Sequence, residues 1–200
     1  DSANPALSML LDRGNALDSS MGQISAKIQQ KGLGRHVNID GGDLGRQAAL
    51  AATLINAGVD APVLKMKIGG FDTHENQRGD HDRLLRDLGR SLAGLRTALK
   101  RTGHWDQTLI LTYSEFGRRA TENYSRGTDH GTAAPHLLLG GGVRGGLFGR
   151  HPDLEDLDDG DLKYTLDYRA VYQRLLAGWF GLSDNRFSGF EDTSLDGVLI

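Results

Sequence analysis

The order of apolar and polar positions divides the chain into a few strong elements separated by long polar stretches. Residues 1–42 are polar and poorly patterned, with only Ser8-Met9-Leu10-Leu11 and Ile24 to Ile28 suggesting helical pieces. A turn cluster, Asn38-Ile39-Asp40-Gly41-Gly42, closes this segment. Ala48, Leu50, Ala51, Leu54 and Ile55 then recur at helical spacing, with Asp43 placed to cap the start and Gly58 to end it in the left-handed conformation. From Pro62 to Ile68, Leu64, Met66 and Ile68 alternate with Lys65 and Lys67, a strand pattern closed by Gly69-Gly70. Leu84, Leu85, Leu88, Leu92, Leu95 and Leu99 predict a long amphipathic helix ending at Gly103. Apolar runs at Thr108 to Tyr113 and His136 to Leu139 read as strands, and Val171, Leu175, Leu176, Trp179 and Phe180 as a helix from Asp167 to Gly181. Alternating strands and helices with long connections predict an α/β fold, a mostly parallel sheet sandwiched by helices.

Composition narrows the class. The 200 residues include 28 glycines, about twice the ~7% average usage, which anticipates many sharp loops. Hydrophobic content of 38% and charged content of 24% suit a globular chain with an ordinary core. A net charge of −3 gives no reason to expect nucleic acid as a partner. No apolar run approaches the ~18 residues of a membrane span. The absence of cysteine excludes thiolate ligands and cysteine nucleophiles. The acidic stretch from Asp153 to Asp161 reads as a solvated loop.

Three polar clusters carry the candidate chemistry, each beside an apolar run. Ligands of open α/β sheets bind at strand ends, which draws attention to all three. In Gly69-Gly70-Phe71-Asp72-Thr73-His74, an extended backbone sets Asp72 and His74 on one face, where a carboxylate and an imidazole can share a divalent metal. The plainer alternative is a helix cap beside a surface histidine. Ser114-Glu115-Phe116-Gly117-Arg118 offers Glu115 as a catalytic or metal-binding carboxylate. Arg118 is its partner there or a holder of an anionic substrate group, against the alternative of a structural ion pair. Gly127-Thr128-Asp129-His130-Gly131 supplies another carboxylate and imidazole, brought together by a turn rather than by a strand. His36, His81, His104 and His151 read as surface residues, and His136 as a core histidine. With imidazoles present, the expected cofactor is a divalent metal, zinc first, with manganese or calcium as alternatives.

As a set, FDTHENQ, an apolar run followed by SEFGR, GTDHG, a second apolar run and GGGVRGG resemble domain-of-unknown-function family 1501. The resemblance runs from about Lys65 to Gly181. It implies an alkaline phosphatase–sulfatase superfamily fold, export by a twin-arginine signal, and a periplasmic or extracellular location. It also implies that Asp72, His74, Glu115, Asp129 and His130 serve a metal, with Glu115 and Arg118 at the reaction centre. On one alignment Glu115-Phe116 stands where the superfamily has an Asp-His pair, with Phe116 in place of histidine; on the other Asp129-His130 is itself that pair, displaced along the chain. No strand–nucleophile–helix pattern precedes Lys65, so the resemblance implies that residues 1–200 are the C-terminal portion of a single, partial domain. The expected function is hydrolysis of a small phosphate or sulfate ester; the alternative is a non-catalytic binding or scaffold protein.

Overall fold

The computed structural model describes residues 5–31, 37–183 and 187–200; His36 lies outside them. The chain forms two compact units, residues 1–68 with 84–104 and residues 69–83 with 105–200. A single partial domain is what the sequence predicts.

The first unit is helical. Helix α1, Pro5–Gln30, is one continuous helix where only short pieces are expected. Helix α2, Gly42–Ala57, buries Leu44, Ala48, Ala51 and Ala52, positions three and four apart that share one face. It begins at Gly41 rather than at an Asp43 cap; Asp43 instead sits in the first turn and accepts from Arg46 and Gln47. Its end follows the sequence reading, with Gly58 left-handed at φ 69° and its N–H bonded to Ile55 and Leu54 carbonyls. Lys27 of α1 and Lys31 just after it donate to the carbonyls of Gly58 and Asn56, placing cations where the dipole of α2 is negative. Helix α3, Gln77–Arg101, contributes its residues from Leu84 onward to this unit and buries Leu84, Leu92, Leu95, Ala98 and Leu99.

The sheet prediction is corrected by the structure. Among the described residues there is no parallel sheet, only three separate antiparallel pairs. Strand β1, Leu109–Leu111, falls inside its predicted run; strands β2, Gly117–Arg118, and β3, His130–Gly131, follow. Strand β4, Leu138–Gly140, pairs with β1 in the register Leu109↔Gly140, and β2 pairs with β3. Strands β5, Leu157–Asp158, and β6, Asp161–Leu162, form a small hairpin inside the predicted acidic loop.

The physical reason is twofold. The connection from β1 to β4 holds loops and the β2–β3 pair instead of a helix, so no right-handed crossover forces the strands parallel. The Pro62 to Ile68 run joins no ladder: the Gln47 side-chain amide accepts from Lys67 N–H at 2.9 Å and donates to Lys67 C=O at 2.8 Å. One amide side chain thus makes the paired contacts that a neighbouring strand would make. Alternation along a segment reports which side is apolar, not what the backbone pairs with.

In the second unit, helix α4, Tyr168–Gly178, starts at Asp167, whose side chain accepts from Arg169 N–H. Ala170, Leu195 and Val198 form its core with Leu138, Phe148, Leu166, Val171 and Leu199 packed around them. His136 is exposed rather than a core residue, because β4 begins two positions later.

Candidate metal centre

The β2–β3 pair sets Arg118 opposite His130. Beside it runs the segment following Gly70. A tight turn joins Thr73 N–H to Phe71 C=O, and Thr73 is buried while its neighbours Asp72 and His74 are exposed. The alternation therefore leaves the carboxylate and the imidazole on one open side. The 123–128 loop lies along this segment. Glu75 bridges to Arg126, and the N–H groups of Asn76 and Gln77 bond to the carbonyls of Ser125 and Arg126. Close approach requires Gly127: a Cβ there would lie 2.2 Å from the carbonyl carbon of His74 and 2.6 Å from Glu75 N.

These elements bring Asp72, His74 and His130 together. The Oδ1 of Asp72 lies 2.7 Å from His130 Nε2 and 2.9 Å from His74 Nε2. One ligand atom from each of the three residues lies within 4.8 Å of the other two. The imidazoles are 4.8 Å apart, centre to centre. Phe116 stacks on the other imidazole, His130, with ring centres 3.8 Å apart and planes within 9°. Phe116 thus covers one face of a candidate ligand.

The remaining predicted residues surround this group unequally. Asp129 Oδ1 lies 3.1 Å from His74 Nδ1, on the far side of the ring from Asp72. Arg118 is largely committed to the fold: Nε donates to Thr128 Oγ1, and Nη2 to the carbonyls of Thr73 and Thr128. Its Nη1 is buried without a hydrogen bond, 3.6 Å from Asp72 Oδ1. Glu115 is exposed and does not belong to the three-residue group.

Electrostatics favours charged carboxylates. The hydrogen bond with His130, together with the fields of His130, His74 and Arg118, holds the Asp72 carboxyl below its ordinary range. Asp129 is likewise lowered, first by a hydrogen bond from Asn123 and then by one with His74. A carboxylate ligates a metal in its ionised form, the form favoured at Asp72.

Asn123 is the residue that the sequence reading missed. Its Nδ2 donates to His74 C=O at 2.9 Å and to Asp129 Oδ1 at 3.2 Å, while its Oδ1 accepts from the N–H groups of Ser125 and Gly127. The last two contacts are local, and Asn two residues before Ser is the signal that announces such a turn. The other predicted surface histidines stand apart: His81 meets the ring of Phe71 edge-on, and His151 lies against the carbonyl of Pro152.

A family model described as "protein of unknown function (DUF1501)" matches residues 7–189. No curated protein and no solved structure matches the chain.

Proposed function

The chain belongs to the DUF1501 family, and from the geometry of its cluster we propose that it is a metal-dependent hydrolase of phosphate or sulfate esters. The observation that carries this reading is the convergence of Asp72 Oδ1, His74 Nε2 and His130 Nε2. Two imidazoles and one carboxylate are a donor set suited to zinc, or to manganese, and three protein ligands leave further coordination positions open. A divalent cation there supplies Lewis acidity toward an ester oxygen.

The protein's own groups have distinct tasks in this reading. His74 and His130 present their Nε2 atoms, and Asp72 adds the negative charge that offsets the cation. Arg118, whose Nη1 is buried 3.6 Å from Asp72 Oδ1, adds to the His130 hydrogen bond and the histidine fields in keeping that carboxylate ionised, and does not reach substrate. Glu115, exposed and outside the three-residue group, has no metal-binding task in this reading. The parallel sheet implied by the superfamily lends no support, because the described residues hold none. Export to the periplasm belongs to the same reading, and cell fractionation tests it.

The decisive measurement is metal content after chelator treatment and reloading with zinc, manganese or calcium, followed by turnover of chromogenic aryl phosphates and sulfates. One equivalent of metal is expected, lost in the Asp72→Ala, His74→Ala double variant, with ester turnover that depends on the metal. Protein that takes up no metal sinks the proposal. Metal uptake without turnover of either ester class supports the alternative binding role, which the burial of Arg118 Nη1 favours.

A further inference from the structure

We infer that Asn123 and Asp129 form a positioning pair that fixes the His74 ring so that its Nε2, and not its Nδ1, faces the metal. This inference rests on the metal reading above, and it gives Asp129 a different task from the ligand role expected of it.

The geometry separates the two sides of the imidazole. His74 Nε2 points to Asp72 Oδ1 at 2.9 Å, inside the three-residue group. His74 Nδ1 points to Asp129 Oδ1 at 3.1 Å, outside it. Both ring nitrogens face a carboxylate, Asp72 on the Nε2 side and Asp129 on the Nδ1 side; a cation shared with Asp72 would take the Nε2 lone pair, and the single proton of the neutral ring then belongs on Nδ1, where Asp129 accepts it. Histidine ligands are commonly oriented in this way, and losing the partner typically lowers metal affinity 10- to 100-fold.

Asp129 is itself held in place. The same Oδ1 that faces the imidazole accepts from Asn123 Nδ2 at 3.2 Å, and the other proton of that amide reaches the carbonyl of His74 at 2.9 Å. One side chain therefore ties the ring's backbone to the ring's acceptor. Asn123 is in turn fixed by the N–H groups of Ser125 and Gly127 on its Oδ1. All four hydrogen-bonding positions of the amide are used or aligned toward a partner in this arrangement, so the side chain has a single orientation that satisfies them. A surface asparagine in an ordinary turn would need only the two local contacts; the two that reach His74 and Asp129 are the ones that bear on the metal.

The test uses the whole chain carrying 15N-labelled histidine, with zinc as the probe and an indicator competition to measure its affinity. Wild-type protein is expected to bind zinc with a slowly exchanging proton on His74 Nδ1 in the imidazole spectrum. Asp129→Asn, nearly isosteric, is expected to bind zinc 10- to 100-fold more weakly, to lose protection of that proton, and to keep the thermal midpoint of the metal-free protein. Asn123→Ala should weaken zinc in the same direction, and cobalt(II) at saturation should give the wild-type absorption pattern in both variants. Unchanged zinc affinity in Asp129→Asn overturns the positioning role while leaving the metal reading intact. An altered cobalt coordination number in that variant makes Asp129 a ligand and also overturns it. Wild-type protein that binds no zinc defeats the metal reading itself.

Discussion

In the unit made of residues 1–68 and 84–104, the buried side chains are nearly all aliphatic: Leu44, Ala48 and Ala52 on α2, and Leu84, Leu95 and Leu99 on α3. In the unit made of residues 69–83 and 105–200, the segments around the cluster are joined by polar contacts instead. Arg118 bonds Thr73 and Thr128, and Asn123 bonds His74 and Asp129. Aliphatic packing tolerates some exchange of shape, because the driving force scales with buried area. A polar staple depends on direction, and a displaced partner leaves a donor or acceptor unpaired. The first kind of contact supplies stability and the second fixes where reactive atoms stand. The largest stability losses are therefore expected in the first unit, and the largest functional losses around the cluster.

Leu99→Ala is the strongest challenge to that comparison. Leu99 is fully buried, and truncation leaves a cavity as well as losing apolar area. A loss of about 2–5 kcal/mol is expected in urea denaturation. A loss well below that range would mean that aliphatic packing is not what holds this unit. Next comes Gly127→Ala, where the new methyl would meet the backbone of His74 and Glu75 rather than a flexible side chain. Overpacking of this kind costs about 1–3 kcal/mol. Because the 123–128 loop must move away from His74, zinc affinity should fall together with stability. Retained zinc affinity would show that the loop does not position the cluster.

How much of this was legible in the sequence follows the same division. The helices α2, α3 and α4 are legible because apolar residues at three- and four-residue spacing mark a helical face whatever lies opposite. The sheet was misread because ladders of two or three residues take their direction from partners far along the chain. Leu109 meets Gly140, and Lys67 meets a side chain. At the site, Asp72 and His74 are legible because i and i+2 share a face. That His130 joins them while Glu115 does not depends on pairings between segments far apart in the chain, such as Arg118 opposite His130, which no local pattern records. Asn123 is not legible because its informative contact, to the carbonyl of His74, spans 49 residues.

Asp167 tests whether a polar contact in the second unit carries stability as well as position. Its carboxylate caps α4, accepting from the Arg169 N–H at 2.9 Å, and pairs with the Arg169 guanidinium. Asp167→Ala should cost about 1 kcal/mol at neutral pH, the usual value of such a cap. The guanidinium hydrogen bond, aided by that backbone N–H, lowers the Asp167 pKa below the ordinary carboxylate value. With the folded value depressed, the contribution is fully present above the unfolded pKa and is lost as pH falls through the folded one. Denaturation of wild type and variant should therefore differ at neutral pH and converge in acid below the carboxylate range. A difference that persists unchanged there would assign the effect to packing.

Gln47→Leu is the mildest test and the most discriminating, since it removes a polar staple from the aliphatic unit. The side-chain amide both donates to and accepts from the Lys67 backbone, and the contacts are exposed. Water replaces exposed partners readily, so the expected loss lies near the lower end of the usual hydrogen-bond contribution, about 0.5 kcal/mol. The local consequence should be clearer than the global one. Lys67 has no ladder partner to take over, so exchange of its amide hydrogen should accelerate while the amides of α2 and α3 keep their protection. If the variant instead approached the cost of Leu99→Ala, the amide would be a principal support of the 62–68 run. The contrast between an aliphatic unit and a polar one would then fail at the segment where the sequence predicted a strand.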